Sequence, residues 1–124
     1  FEARRQEDEL RELIGAIRND LGVPVMADIS NVEEAVRAER CGADVVATTM
    51  AGYTPYTTKT EGPDLDLIER LVRTVRVPGI GEGRFSKPEE VREAIHARGA
   101  HSVVVGTSIT APWEVAARFV RAIS

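Results

Sequence analysis

Val77-Pro78-Gly79-Ile80-Gly81-Glu82-Gly83-Arg84 is a short apolar run that ends in a carboxylate between two glycines, with an arginine behind it. Such a run predicts a buried strand arriving at a loop whose backbone is left bare. Gly81 and Gly83 keep side chains away, which lets a ligand approach main-chain N–H groups. Glu82 then stands at the mouth of a strand, where α/β folds place their chemistry. The octapeptide alone fits a surface turn with an ordinary charged residue equally well. Its surroundings decide between the two.

Just upstream, Leu65, Leu67, Ile68, Leu71, Val72 and Val75 mark an amphipathic helix. Just downstream, Ser86-Lys87-Pro88-Glu89 is a capping signal, with proline in the first turn where its missing N–H costs nothing. The helix it opens is expected to run to Gly99. Ser102 to Gly106 reads as a further strand and Pro112 to Ile123 as the last helix. Toward the amino terminus, Leu10, Leu13, Ile14, Ile17 and Leu21 sit at helical spacing over residues 7–21, and Gly22 closes that helix. Val23 to Ile29 is a largely apolar strand, Ser30-Asn31-Val32-Glu33 a capping box opening a helix over 31–41, and Ala43 to Thr49 a β-branched strand. Between that strand and the helix at Leu65 runs one long connection, Met50 to Asp64, rich in Gly, Thr, Tyr and Pro. Connections of that length in a compact domain are usually functional or mobile.

The element order is α-βα-βα-βα-βα. The strands read as continuous apolar runs, which are buried on both faces and hence parallel, with helices as crossovers. The expected fold is α/β, of the (β/α)8 barrel type. Residues 1–124 form a single domain that covers about four βα units. Four parallel strands cannot close a small barrel, and an open sheet needs both edges protected. The chain also starts on helix, at Phe1 to Arg5, as if a strand preceded it. The expectation is half of a barrel.

Composition narrows the function. With 124 residues, 43% hydrophobic and 29% charged, this is the make-up of one globular domain. No apolar run is long enough to span a bilayer and no leader opens the chain, so no membrane partner is expected. The lone Cys41 excludes an internal disulfide and fits a reducing cytoplasm. His96 and His101 lack partners at ligand spacing, so no metal is expected; both fall near the last helix–strand turn. A net charge of −4, with basic and acidic residues intermixed, argues against nucleic acid.

Four features fall just past the strand ends: Asp28, then Thr48-Thr49 with the loop Gly52 to Thr57, then Glu82-Gly83-Arg84, then Gly106-Thr107-Ser108. In a barrel these positions share one site. The last two supply glycines and hydroxyls just before helix starts, which suits a phosphate. Each feature also has an ordinary reading. Asp28 fits a helix cap, Gly106-Thr107-Ser108 a simple turn, Arg84 a structural partner for Glu82, and Tyr53 and Tyr56 a cover for the rim. Trp113 is expected to pack the last helix on the sheet.

Met26-Ala27-Asp28-Ile29-Ser30, the run Ala43 to Thr54, Gly81-Glu82-Gly83-Arg84 and Val103 to Thr110 occur in an order and spacing that resemble the second half of N-acetylmannosamine-6-phosphate 2-epimerases. These are (β/α)8-barrel enzymes of sialic acid catabolism. The resemblance covers the chain from about residue 10 onward. Its specific parts are T-T-x-x-G-Y-T and G-E-G-R; G-T-S-I-T is common to many phosphate-binding barrels.

The resemblance implies epimerisation at C2 of a 2-acetamido-2-deoxyhexose 6-phosphate, without a cofactor. Proton removal and return at one carbon ask for an acid/base group on each side of it. Glu82 is then one catalytic group. Asp28, Thr48, Gly52, Tyr53, Thr54 and Arg84 would meet the substrate, while Gly83, Gly106, Thr107 and Ser108 would hold its phosphate. The family's other acid/base group, a lysine, lies in the first half of the barrel, outside this sequence. Where the family usually has arginine after I-T, this chain has Ala111. That removes a charge-assisted contact of about 1.5–3 kcal/mol and leaves Arg84 as the candidate substitute. Two other readings stand beside this one. The first is a non-catalytic half barrel that binds sugar phosphate and pairs with itself as a homodimer, or with a missing amino-terminal half. The second is another phosphate-binding barrel enzyme, against which the G-Y-T-P-Y-T loop argues.

Overall fold

A computed structural model of the chain describes residues 2–123. The helices are α1 (Glu2–Asp20), α2 (Val32–Cys41), α3 (Leu65–Thr74), α4 (Pro88–His96), α5 (Thr107–Thr110) and α6 (Pro112–Ile123). The strands are β1 (Met26–Asp28), β2 (Val45–Ala47), β3 (Gly79–Glu82) and β4 (Ser102–Val104). All four strands are parallel and lie in the order of the chain, β1-β2-β3-β4. Right-handed crossovers between sequential neighbours put every connecting helix on the same face. The result is four units of a barrel wall, not a sheet covered on both sides.

Strand alternation and register fix what each face carries. Met26 pairs with Val45, Asp28 with Ala47, Ala47 with Ile80 and Glu82 with Val104. These residues therefore share the concave face, and Thr49 continues it. The alternate residues, Ala27, Ile29, Val46 and Val103, pack under the helices. One core cluster joins Ile14, Ala35, Ala38, Val46 and Leu71; a second joins Ile68, Phe85, Ala94 and Ala100. The two-sided burial expected for the strands holds only toward the helices. On the concave face Met26 is 49% exposed and Val104 41%.

Several boundaries differ from the sequence expectation, for local reasons. The strands are three or four residues long, shorter than the apolar runs that contain them. Helix α4 stops at His96, and Gly99 lies beyond it at φ +81° in the turn to β4. The capping box of α2 sits one residue later than expected. Asn31, not Ser30, caps the helix by accepting from Glu34 N, while the Glu34 carboxylate accepts from Ser30 N at 2.7 Å and Ser30 Oγ at 2.8 Å. The same device opens α4, where Glu90 accepts from Ser86 N at 2.8 Å and Lys87 N at 3.1 Å. Trp113 does not pack α6 on the sheet: it is 69% exposed, and no residue of α6 is buried. His96 ends α4 and His101 precedes β4, as expected.

Candidate active site

The carboxyl ends of β3 and β4 open into a cleft of about 630 Å³. Its lining includes Tyr53 and Glu61 from the long connection, Glu82 to Lys87, Val104, Gly106 to Ser108, and Arg118 of α6. Glu82 enters it from the last position of β3, on the concave face. Two threonines hold that residue. Thr48 Oγ1 donates to Glu82 O at 2.9 Å and accepts from Glu82 N at 3.0 Å, which fixes the main chain. Thr49 Oγ1 lies 3.0 Å from Glu82 Oε2 and 2.9 Å from Asp28 Oδ1. Asp28 stands beside the Glu82 end of the cleft, joined to it through Thr49.

The other expected site residues divide into two groups. Gly83, Gly106, Thr107 and Ser108 line the cleft wall, as does Tyr53. Thr48 does not: it is 2% exposed, on the helix side of the sheet, with its hydroxyl engaged by the Glu82 backbone. Gly52 and Thr54 are internal to the long loop, where Gly52 N donates to Thr57 Oγ1 and the Thr54 and Thr57 hydroxyls lie 2.6 Å apart. Ser108 Oγ donates to Phe85 O at 2.8 Å, which ties the β4 loop to the β3 loop.

Arg84 does not pair with Glu82. Its Nε donates to Gly62 O at 2.9 Å, Nη1 to Ala51 O at 2.8 Å and Nη2 to Thr60 Oγ1 at 3.0 Å, and the guanidinium lies 5.5 Å from the Tyr53 ring centroid. Arg84 therefore straps both ends of the long connection and has left-handed backbone, φ +62°, in doing so. A guanidinium bound in this way is a poor substitute for a phosphate-binding arginine. The cations left at the Gly106–Ser108 side are Lys87 and Arg118, and Arg118 Nη2 lies 3.4 Å from Ser108 Oγ. The sequence reading missed Lys87, Arg118 and the central place of Thr49. Thr49 was recoverable in principle, because it continues the strand alternation through Val45 and Ala47; Arg118 was not, because its reach depends on how α6 folds back.

Gly81 also has a different task from the one expected. A Cβ there would stand 2.9 Å from Ile68 Cδ1 and 3.1 Å from Phe85 Cζ, so its missing side chain serves helix packing on the convex face. Gly83, at φ +107° with open space around it, fits the expected bare backbone. Beneath the rim, burial works against the Glu34 anion, but Ser30, Tyr56 Oη and the nearby Arg37 charge outweigh it and hold its carboxyl below the usual range. Tyr56 thereby anchors the loop to α2.

A parallel sheet in chain order, with helices on one face and a cleft at its carboxyl edge, defines the wall of a (β/α)8 barrel. The chain belongs to the N-acetylmannosamine-6-phosphate epimerase family, whose model matches residues 2–124. It is 47% identical over 120 residues to a protein of Clostridioides difficile named "Putative N-acetylmannosamine-6-phosphate 2-epimerase", covering 97% of this chain and 53% of that one. It is 55% identical over 96 residues to the protein of that name from Caldanaerobacter subterraneus, covering 77% and 40%. The solved N-acetylmannosamine-6-phosphate 2-epimerase from Clostridium perfringens superposes with a TM-score of 0.84 at 45% identity, over 90% of this chain and 48% of that one. The chain thus spans about half the length of these relatives. A nitroalkane oxidase from Streptomyces ansochromogenes, at 21% identity and a TM-score of 0.62, shares the fold alone.

Proposed function

We propose that this chain is the carboxyl-terminal half of a barrel that interconverts N-acetylmannosamine 6-phosphate and N-acetylglucosamine 6-phosphate. The observation that carries this reading is the Glu82 carboxylate, presented to the cleft at the end of β3 while Thr48 fixes its backbone. The C2 hydrogen of the sugar is acidic only when C1 is an open-chain aldehyde. A carboxylate beside C2 can take that proton, and a second group on the opposite face returns one with inverted configuration. Glu82 fills one of these roles, and Asp28 orients the sugar beside it. Gly83, Gly106 and Thr107 receive the phosphate, with Lys87 and Arg118 as the neighbouring charges. Tyr53 closes the rim.

The second acid/base group comes from the other half of the barrel, so the chain alone turns over slowly. Proton exchange at C2 of N-acetylmannosamine 6-phosphate in D₂O, followed by NMR, tests the assignment. Glu82→Gln should lower the exchange rate by about 10²–10⁴-fold, the usual share of a positioned acid/base group. Exchange that survives this substitution removes Glu82 from the chemistry. A phosphate resonance that shifts on titration without any exchange reduces the chain to a sugar-phosphate-binding half barrel.

A further inference from the structure

Arg84 is on the cleft lining, yet its guanidinium bonds the loop after β2. Its three acceptors, Ala51 O, Thr60 Oγ1 and Gly62 O, are all neutral, so directed bonds and not an opposite charge hold it there. The seat is shaped for the planar group. A Cβ on Gly52 would stand 3.1 Å from Nη1 and 3.4 Å from Nη2, and the missing side chain makes the room. The next residue is Tyr53, whose ring centroid lies 5.5 Å from Arg84 Cζ and 5.6 Å from Lys59 Nζ, close enough for cation–π attraction to both. Tyr53 is 55% exposed and is itself on the cleft lining. The Arg84 backbone has φ +62°, an uncommon conformation for a residue with a side chain, which the contacts of the guanidinium hold in place.

We propose that Arg84 is a positioning residue: by clasping the loop at Ala51, Thr60 and Gly62 it holds the Tyr53 ring at the cleft, and the ring, not the guanidinium, meets the substrate. The role rests on the reading of the cleft as a sugar-phosphate site and is independent of which group moves the proton at C2. An aromatic face offers the C–H groups of a hexose an apolar surface. A ring on a long, loosely held loop would lose its freedom on binding, and that cost would come off the affinity. Fixed beforehand by Arg84, the ring loses little. A lysine would keep a charge near Tyr53 but has no planar fork with which to reach three acceptors on two stretches of chain.

Two measurements on the chain test this, with Arg84→Lys, which keeps the charge and loses the fork, and Tyr53→Leu, which keeps an apolar side chain and loses the ring. The first is NMR of the Tyr53 ring protons without ligand. In the native chain they should stand apart from the shifts of an unstructured tyrosine, and in Arg84→Lys they should move toward them. Ring signals that are the same in both overturn the proposal. The second is titration with N-acetylmannosamine 6-phosphate and with inorganic phosphate, followed by ³¹P NMR. Each variant should bind the sugar phosphate about threefold or more weakly, and Arg84→Lys should add nothing further in the Tyr53→Leu background. Inorganic phosphate, with no hexose to meet the ring, should bind both variants as it binds the native chain. Additive losses overturn the proposal, as does weakened binding of inorganic phosphate in Arg84→Lys, which would make the guanidinium a phosphate ligand. If the ring signals move as expected but the native chain binds no sugar phosphate, the sugar-phosphate reading of the isolated chain fails while the hold of Arg84 on Tyr53 stands.

Discussion

A Cβ on Gly52 would meet the Lys59 main chain at 2.9 Å, and Gly52 has φ +79°. Backbone cannot yield as a side chain does, so Gly52→Ala should cost more than Gly81→Ala, whose neighbours are the ends of Ile68 and Phe85. Overpacking of the latter kind costs about 1–3 kcal/mol. Gly83→Ala meets no atom within 4 Å and carries only the left-handed penalty, about 1–2 kcal/mol. Urea unfolding of the three variants should rank Gly52→Ala as the most destabilised. Equal losses at Gly52 and Gly83 would show that conformation, not contact, governs those two sites. Gly81 and Gly83 are indistinguishable in the octapeptide that contains them. Their separation comes from where β3 ends: Gly81 lies inside the strand and faces α3, whereas Gly83 lies past Glu82 in the loop at φ +107°.

The long connection is held at both ends by Arg84 and in its middle by Tyr56. Arg84 straps Ala51, Thr60 and Gly62 from the β3 side, and Tyr56 reaches Glu34 at the start of α2. Arg84→Ala should raise amide hydrogen exchange across residues 51–62 by at least about tenfold, because three bonds to the guanidinium are lost together. Unchanged exchange there would mean that the loop's own turns suffice. At α2, the depressed Glu34 carboxyl makes the cap sensitive to acid. Its contribution is present in full above the usual glutamate range and is lost as pH falls through the depressed value. Glu34→Gln should therefore remove about 1 kcal/mol at neutral pH and almost nothing in strong acid, as measured by thermal unfolding across pH. The caps themselves were legible as S-x-x-E-like patterns, but the partner glutamate was misplaced by one residue. The sequence offers Glu33 beside Glu34 and Glu89 beside Glu90, and only helix geometry selects the second of each pair.

Across the whole molecule, β1 and β4 each pair on one side only, so the sheet ends in two open edges among the described residues. Ile109 (70% exposed), Trp113 (69%), Phe119 (73%) and Ile123 (87%) lie beyond β4, on helices that bury little. Open edges and exposed apolar side chains favour association. The isolated chain should elute from size exclusion above its 13.5 kDa, and Trp113→Glu with Phe119→Glu should shift it toward that mass. Elution at monomer mass in the native chain would show that α6 already satisfies its own surface. The epimerase relatives, about twice as long, supply further chain at this scale.

The sequence by itself determined the order of the strands and of the longer helices, though not the short α5 (Thr107–Thr110), together with the parallel pairing and the placing of Asp28, Glu82 and Gly106 at strand ends. All of these follow from local periodicity, glycine and proline punctuation and β-branched runs, which act over a few residues. Tertiary structure decided which side chains meet. Thr49 touches residues 21 and 33 positions away, Arg84 turns from Glu82 to the loop, and Arg118 enters the cleft from the last helix. Those meetings depend on the register between strands and on which face each pleat presents. Both are set by packing of the whole sheet against its helices, and the order of residues along the chain does not carry them in any local pattern.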